Sequence, residues 1–154
     1  MLYILFNLGK ERFALPCRNL VRIIPMVRLK ELPQSPSFVA GLLNYRGSII
    51  PVIDLCVLVH GHPADARLSS RIMLVNYRGA GEVEHILGLL AEAMTETMKI
   101  EPKELAPSGL TVAGARYLGQ VASTEKGMIQ IIEVDQLLPQ TLKDSLFQTE
   151  ATAA

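Results

Sequence analysis

The hydrophobic residues of this chain fall into short runs that are separated by glycine, proline and polar residues. Most runs are rich in β-branched or aromatic side chains, and turn residues recur about every 8 to 12 positions, which is typical of strands. The pattern predicts about ten short strands and favours a barrel or sandwich over an alternating α/β fold. The predicted strands are residues 2–8, 12–15, 20–27, the two arms of a hairpin within 41–55, 71–77, 84–91, 94–100, 115–122 and 128–134.

The segments between these runs are predicted as loops and short helical turns. Proline-containing connectors are predicted at 32–38, 61–70 and 101–113. Residues 55–59, 135–138 and 141–147 are predicted as short helical turns, and the last six, 149–154, as a flexible tail. The loop at 61–70 divides the predicted strands into two groups of about five.

The most distinctive segment is GLLNYRGSIIPVIDL, residues 41–55. In its second arm Ile49 and Ile53 share one face while Ile50 and Val52 share the other, so both faces are apolar. Such a strand is either buried on both sides or exposes one side as a patch for a partner, and Ile50 with Val52 is the candidate patch. Pro51 cannot donate a backbone hydrogen bond, which predicts an edge or a bulge.

The tip of this hairpin carries the polar residues. Gly47 permits the positive φ that a tight reversal needs, and Asn44 can close the turn by bonding its own backbone. Arg46 then projects from a rigid tip, where its planar guanidinium can bind a carboxylate of a partner. The alternative is that Arg46 pairs with a nearby acid such as Asp54 and only stabilises the hairpin.

Composition narrows the classes of function. The 154 residues are 49% hydrophobic, enough to bury a core, and 15 basic residues balance 15 acidic ones. Zero net charge argues against binding to nucleic acid or to anionic lipid. The apolar N-terminus, MLYILF, is too short for a membrane span and lacks the features of a signal peptide. We therefore expect a cytoplasmic protein with reduced thiols at Cys17 and Cys56 and no direct membrane insertion.

Catalytic and metal-binding motifs are sparse. Cys56, His60 and His62 have the only spacing that resembles a metal site, and the one other histidine, His85, lies far along the chain. The expected outcome is a core cysteine and two loop histidines, with no metal and no cofactor. No nucleophile elbow or phosphate-binding loop is present, and an acid such as Asp54 at a strand end more often caps the next turn than acts in catalysis. The sequence does not predict an enzyme.

The hairpin resembles the signature of the CheW family, the coupling proteins of bacterial chemotaxis. The matching positions are Gly41, Asn44, Arg46, Gly47, Pro51, Asp54 and Leu55, all in register. Further similarity covers residues 13–25, 36–44, 87–107 and 128–138, so the resemblance extends over nearly the whole chain.

This resemblance implies an all-β fold of two packed, five-stranded SH3-like barrels with short helical turns. Residues 1–148 would form a single CheW-like domain made of these two barrel subdomains. It also implies a non-catalytic adaptor between the cytoplasmic tip of a chemoreceptor and the regulatory domain of a CheA-like histidine kinase, recruited to membrane receptor arrays. Carried over by position, the implied receptor-binding residues are Leu20, Arg22, Gly41, Asn44, Arg46 and Gly47.

Two positions depart from the family pattern, Arg22 and Ala93, and Ala93 stands where the family tends to have glycine after an acid, here Glu92. The residue at the place of Arg22 is often acidic in the family and can pair with the hairpin arginine, which Arg22 cannot do. Either Arg46 has another acid, or both arginines face an acidic partner.

The alternative function is a small β-barrel nucleic-acid or protein-binding module outside chemotaxis. The absence of tryptophan and an aromatic content of 5% count against nucleic acid.

Overall fold

The computed structural model describes residues 1–63, 70–78, 83–107, 117–125 and 127–139, and within these ranges the fold is mostly β with one α-helix. The strands are β1 (Leu2–Leu8), β2 (Glu11–Pro16), β3 (Leu20–Pro25), β4 (Val39–Tyr45), β5 (Ser48–Asp54), β6 (Ser70–Tyr77), β7 (His85–Lys99), β8 (Leu105–Ala106), β9 (Leu118–Thr124) and β10 (Gly127–Ile132). The helix α1 spans Leu55–His60, and 3₁₀ turns occupy Cys17–Asn19, Pro102–Glu104 and Val134–Gln136. The predicted all-β class is confirmed.

The long strand β7 connects the two halves of the fold. It has 15 residues and pairs with β6 through residues 85–92, then with β1 through residues 92–99. A register shift in β1, between Leu5 and Asn7, accompanies this change of partner. The prediction of separate strands at 84–91 and 94–100 was therefore wrong, because the imperfect alternation between them lies within a continuous strand.

Each half of the fold encloses its own apolar core. In the first barrel the strand order is β7-β1-β2-β10-β9, with β8 at the edge, and in the second it is β3-β6-β7-β5-β4. The core of the first barrel contains Tyr3, Leu5, Ala14, Ile100, Ala122, Ile129 and Ile131. The core of the second contains Leu43, Ile50, Val52, Ile72, Leu74 and Leu90. This arrangement agrees with two SH3-like barrels.

The two barrels pack together through a third and larger apolar cluster. Because side chains alternate along a strand, the residues of β1, β2, β6 and β7 that point away from the barrel cores face each other here. They include Ile4, Phe6, Leu8, Phe13, Leu15, Met73, Val75, Tyr77, Leu87, Leu89 and Ala91. These strands are thus buried on both faces, which explains their nearly continuous hydrophobic sequences.

The barrels are interleaved along the chain. The second barrel uses β3 to β6 and the first part of β7, while the first barrel takes β1, β2, the rest of β7 and the last strands. The predicted division of the strands at the 61–70 loop was wrong, because the N-terminal strands pair with the C-terminal ones. The predicted helical turn at 141–147 and the tail at 149–154 lie outside the described residues.

Candidate functional site

The β4–β5 hairpin ends in a two-residue turn at Arg46 and Gly47. Tyr45 pairs with Ser48, and the turn residues have φ values of 51° and 88°, the positive values of a type I′ turn. The amide of Gly47 donates to Oδ1 of Asn44 over 3.1 Å. Both local predictions, a positive φ at Gly47 and turn closure by Asn44, are confirmed. The tip is therefore rigid, and Arg46 is held exposed at its end.

Tyr45 lies between two arginines at this tip. Nη1 of Arg22, on β3, donates to the hydroxyl of Tyr45 over 3.1 Å, and the guanidinium carbon of Arg46 lies 5.1 Å from the centroid of the same ring. A cation at this distance is attracted by the face of the ring. Tyr45 was not among the predicted site residues. The adjacency of Tyr45 and Arg46 in a turn was a sequence signal for their contact. The bond from Arg22 had no such signal, because Arg22 is 23 positions away.

The two arginines have no acidic partner in the described part of the chain. Neither Arg22 nor Arg46 forms an ion pair there. Asp54, the alternative partner of Arg46, lies at the other end of β5, where its Oδ1 accepts from the amides of Cys56 (3.0 Å) and Val57 (3.3 Å) and caps α1. Two positive charges thus remain available at one hairpin tip.

A groove of about 350 Å³ lies beside the tip. Residues from the hairpin and from the start of β7 form its walls: Tyr45, Arg46, Ser48, Ile49, Ile50, Glu84, His85 and Ile86. Ile49 is 60% exposed, and the carboxylate of Glu84 lies 3.9 Å from the guanidinium of Arg78. The groove therefore combines an exposed aliphatic side chain with one cation, Arg46, and one carboxylate, Glu84.

The proposed apolar patch of Ile50 and Val52 is corrected by the structure. Both side chains point into the core of the second barrel and are 2% and 0% exposed, respectively. β5 pairs with β4 along its length and with β7 from Val52 onward. Pro51 therefore lies one position before the β7 ladder, in which its missing N–H would weaken the pairing. The strand is buried on both faces at this end, and Ile49 is the apolar residue that it exposes.

Two of the expected receptor-binding positions lie away from the tip. Gly41 is buried, with a φ of 151°, and a Cβ atom there would lie 2.6 Å from the carbonyl oxygen of Lys30 and 2.9 Å from Cβ of Leu29. Gly41 thus allows the 29–30 segment to bond to β4. Leu20 is half-buried at the start of β3 and packs on the cluster between the barrels. The structure brings together Arg22, Asn44, Arg46 and Gly47.

Cys56, His60 and His62 lie at the end of the fold that contains α1, whereas His85 lines the groove beside the hairpin tip. Cys17 and Cys56 are free thiols, and burial raises the pKa of the Cys17 thiol. His60 closes α1, instead of lying in a loop as expected, and His62 Nδ1 is 3.8 Å from Sγ of Cys56. Among the described residues, no three histidine, cysteine or acidic side chains are arranged to hold a metal ion. No helix found in these ranges has the length and hydrophobicity to cross a membrane.

Comparison with known proteins gives a consistent set of relatives. Residues 2–142 match the family described as the CheW-like domain. The chain is 28% identical to Protein FrzA of Myxococcus xanthus over 137 residues, which cover 86% of this chain and 82% of FrzA. It is 23% identical to Chemotaxis protein CheW of Helicobacter pylori, covering 88% and 80% of the two chains. The crystal structure of scaffolding protein TtCheW from Thermoanaerobacter tengcongensis superposes with a TM-score of 0.77 at 28% identity, covering 90% and 87%.

Proposed function

We propose that this chain, which belongs to the CheW-like domain family, is a scaffold protein of chemotaxis signalling without catalytic activity of its own. The family match covers residues 2–142, and the similar proteins include several named for chemotaxis and a structure named for scaffolding. The interleaved barrels, which place strands from both ends of the chain in one body, suit a rigid connector between other proteins.

A more specific proposal names the two proteins that this scaffold would connect. We propose that the protein couples the cytoplasmic tip of a chemoreceptor to the regulatory domain of a CheA-like histidine kinase, in the cytoplasm at membrane receptor arrays. The observation that carries the receptor part is the hairpin tip, where Arg22 and Arg46 share Tyr45 and lack acidic partners among the described residues. A helical receptor tip offers carboxylates and an apolar stripe, which complement these arginines and Ile49.

The residues of the proposed receptor surface have different roles. Arg22 and Arg46 supply charge, Tyr45 orients both, and Asn44 with Gly47 fixes the turn that presents them. Gly41 and Leu20 support this surface from within the fold. A rigid tip loses little conformational entropy on binding, which favours affinity. The kinase would bind elsewhere on the barrels.

The experiment is a binding titration of the chain against both partners from the same organism. Wild type is expected to bind the receptor tip and the kinase domain saturably. Arg46→Glu is expected to weaken receptor binding by about tenfold or more, since it reverses a charge at the proposed contact. Because Arg46 is exposed at a turn, the variant should retain the circular dichroism spectrum of wild type.

The matched control is Arg28→Glu, which changes the net charge by the same amount at an exposed arginine outside the hairpin. It should bind the receptor nearly as wild type does. Equal losses in both variants would mean that the receptor senses only overall charge, and unchanged binding by Arg46→Glu would remove the hairpin from the receptor contact. Binding to neither partner by wild type would refute the coupling function.

A further inference from the structure

A cavity of about 510 Å³ opens at the end of β5 away from the hairpin tip. The β1–β2 turn, the end of α1 and the middle of β7 form its walls. Its polar lining residues are Lys10, Glu11, His60, His62 and Glu92. The cavity is within the volume range of small-molecule sites, and the proposed scaffold function makes no use of it.

Glu92 is the unusual member of this lining. It stands where β7 leaves β6 and joins β1, opposite Ser70 on one side and Asn7 on the other. The residue is only 8% exposed, and in the described part of the chain its carboxylate has neither a hydrogen-bond donor nor a cation as partner. Because no described side-chain oxygen is both fully buried and unpartnered, the carboxylate meets solvent through the cavity, where a ligand with a positive charge can reach it.

His60 adds a hydrogen-bond acceptor. Its Nε2 lies 3.0 Å from the carbonyl oxygen of Leu8, which can only accept, so Nε2 donates and Nδ1 of the neutral ring is an acceptor. His62 Nδ1 lies 3.3 Å from the carbonyl oxygen of Pro63 and 3.8 Å from Sγ of Cys56, so either of its ring nitrogens can carry the hydrogen. The rings stack with centroids 5.8 Å apart.

We propose that this cavity binds a small organic cation whose ammonium or guanidinium group is seated on Glu92. Acceptors outnumber cations among the described lining residues, which include the carboxylates of Glu11 and Glu92, the imidazole of His60 and one amine, the exposed Lys10. Guanidinium and ammonium groups carry several donors and no acceptor, which complements this set. A metal ion fits less well, because the stacked imidazoles do not converge on a common point with a third ligand.

The test is calorimetric titration of the full chain with butylguanidinium, with its neutral isostere butylurea as the paired probe. Wild type is expected to bind about one butylguanidinium per chain with a midpoint below about 1 mM, and butylurea at least tenfold more weakly. Glu92→Gln keeps the shape of the side chain and removes its charge, so it should lose at least tenfold in affinity. Glu31→Gln, an exposed carboxylate elsewhere, should bind as wild type does.

Thermal unfolding gives an independent readout. Without ligand, Glu92→Gln should unfold at about the same temperature as wild type, since the change breaks no ion pair or hydrogen bond in the described part of the chain. Butylguanidinium should raise the unfolding temperature of wild type and not that of the variant. The proposal is overturned by the absence of saturable binding at 10 mM probe, by equal affinities of wild type and Glu92→Gln, or by zinc binding that excludes the organic cation.

Discussion

Arg22 donates a hydrogen bond of 3.1 Å to the hydroxyl of Tyr45, although the two residues are 23 positions apart. β3, which carries Arg22, pairs with β6, and Tyr45 ends β4. The bond therefore connects two strands that do not share a ladder in the described sheet. It holds the side chain of Tyr45 in the orientation in which its ring contacts Arg46.

Tyr45→Phe should separate these two contacts. The variant loses the acceptor for Arg22 and keeps the aromatic face for Arg46, so we expect receptor affinity to fall by about three- to tenfold. The free energy of unfolding should change by less than about 0.5 kcal/mol, because the bond is exposed to solvent. Tyr45→Ala should lose more affinity than Tyr45→Phe. Wild-type affinity in both variants would show that Tyr45 does not orient the arginines for binding.

Neighbouring isoleucines on β5 should respond in opposite ways to aspartate. Ile50→Asp places a charge in the core of the second barrel and should destabilise the fold by more than about 4 kcal/mol, seen as loss of cooperative unfolding. Ile49→Asp alters an exposed side chain beside the groove and should leave the fold intact while weakening receptor binding by about tenfold. A folded Ile50→Asp, or full binding by Ile49→Asp, would contradict the assignment of the two faces.

Gly41→Ala should destabilise the protein through steric overlap. The added Cβ would lie 2.6 Å from the carbonyl oxygen of Lys30, and we expect a loss of about 2 to 4 kcal/mol in urea unfolding. Gly9→Ala is the matched control. It also has a positive φ, 65°, but a Cβ there meets no atom within 4 Å, so its cost should be about 1 kcal/mol. Equal costs would mean that Gly41 is needed for its backbone angle alone.

Tyr77 should make the protein sensitive to alkali. Burial, with a smaller contribution from the negative charge of Asp135, raises the pKa of Tyr77 to about 12. The folded state therefore disfavours the tyrosinate. The stability from this group is complete below pH 10, the pKa of an unperturbed tyrosine, and is lost between pH 10 and about 12.

The measurement is urea unfolding of wild type and Tyr77→Phe at pH 9, 10 and 11. The value at pH 9 is the reference for the difference in unfolding free energy between the two proteins. Above pH 10 this difference should shift against wild type, by up to about 1.4 kcal/mol per pH unit. A difference independent of pH would mean that Tyr77 ionises as easily in the folded state as in the unfolded one.

Much of the local structure could be predicted because it depends on neighbouring residues. Leu2–Leu8 was predicted with its observed bounds, since an apolar run followed by glycine leaves few alternatives. The turn at Arg46 and Gly47 followed from glycine's tolerance of positive φ and from the short reach of Asn44 to its own backbone. The helical turn after Asp54 was anticipated for the same reason, since its cap lies within three residues.

The tertiary structure alone decided which faces are buried and which side chains meet. Ile50 and Ile49 are equally apolar, and only the pairing of β5 with β4 and β7 turns one inward and leaves the other exposed. The same long-range pairing interleaves the barrels through β7 and places Arg22 on Tyr45. Local sequence was enough to predict most of the strands, the turn and the family, but not the continuity of β7. The burial and the partners of the side chains depend on contacts between distant segments, which no local pattern of residues encodes.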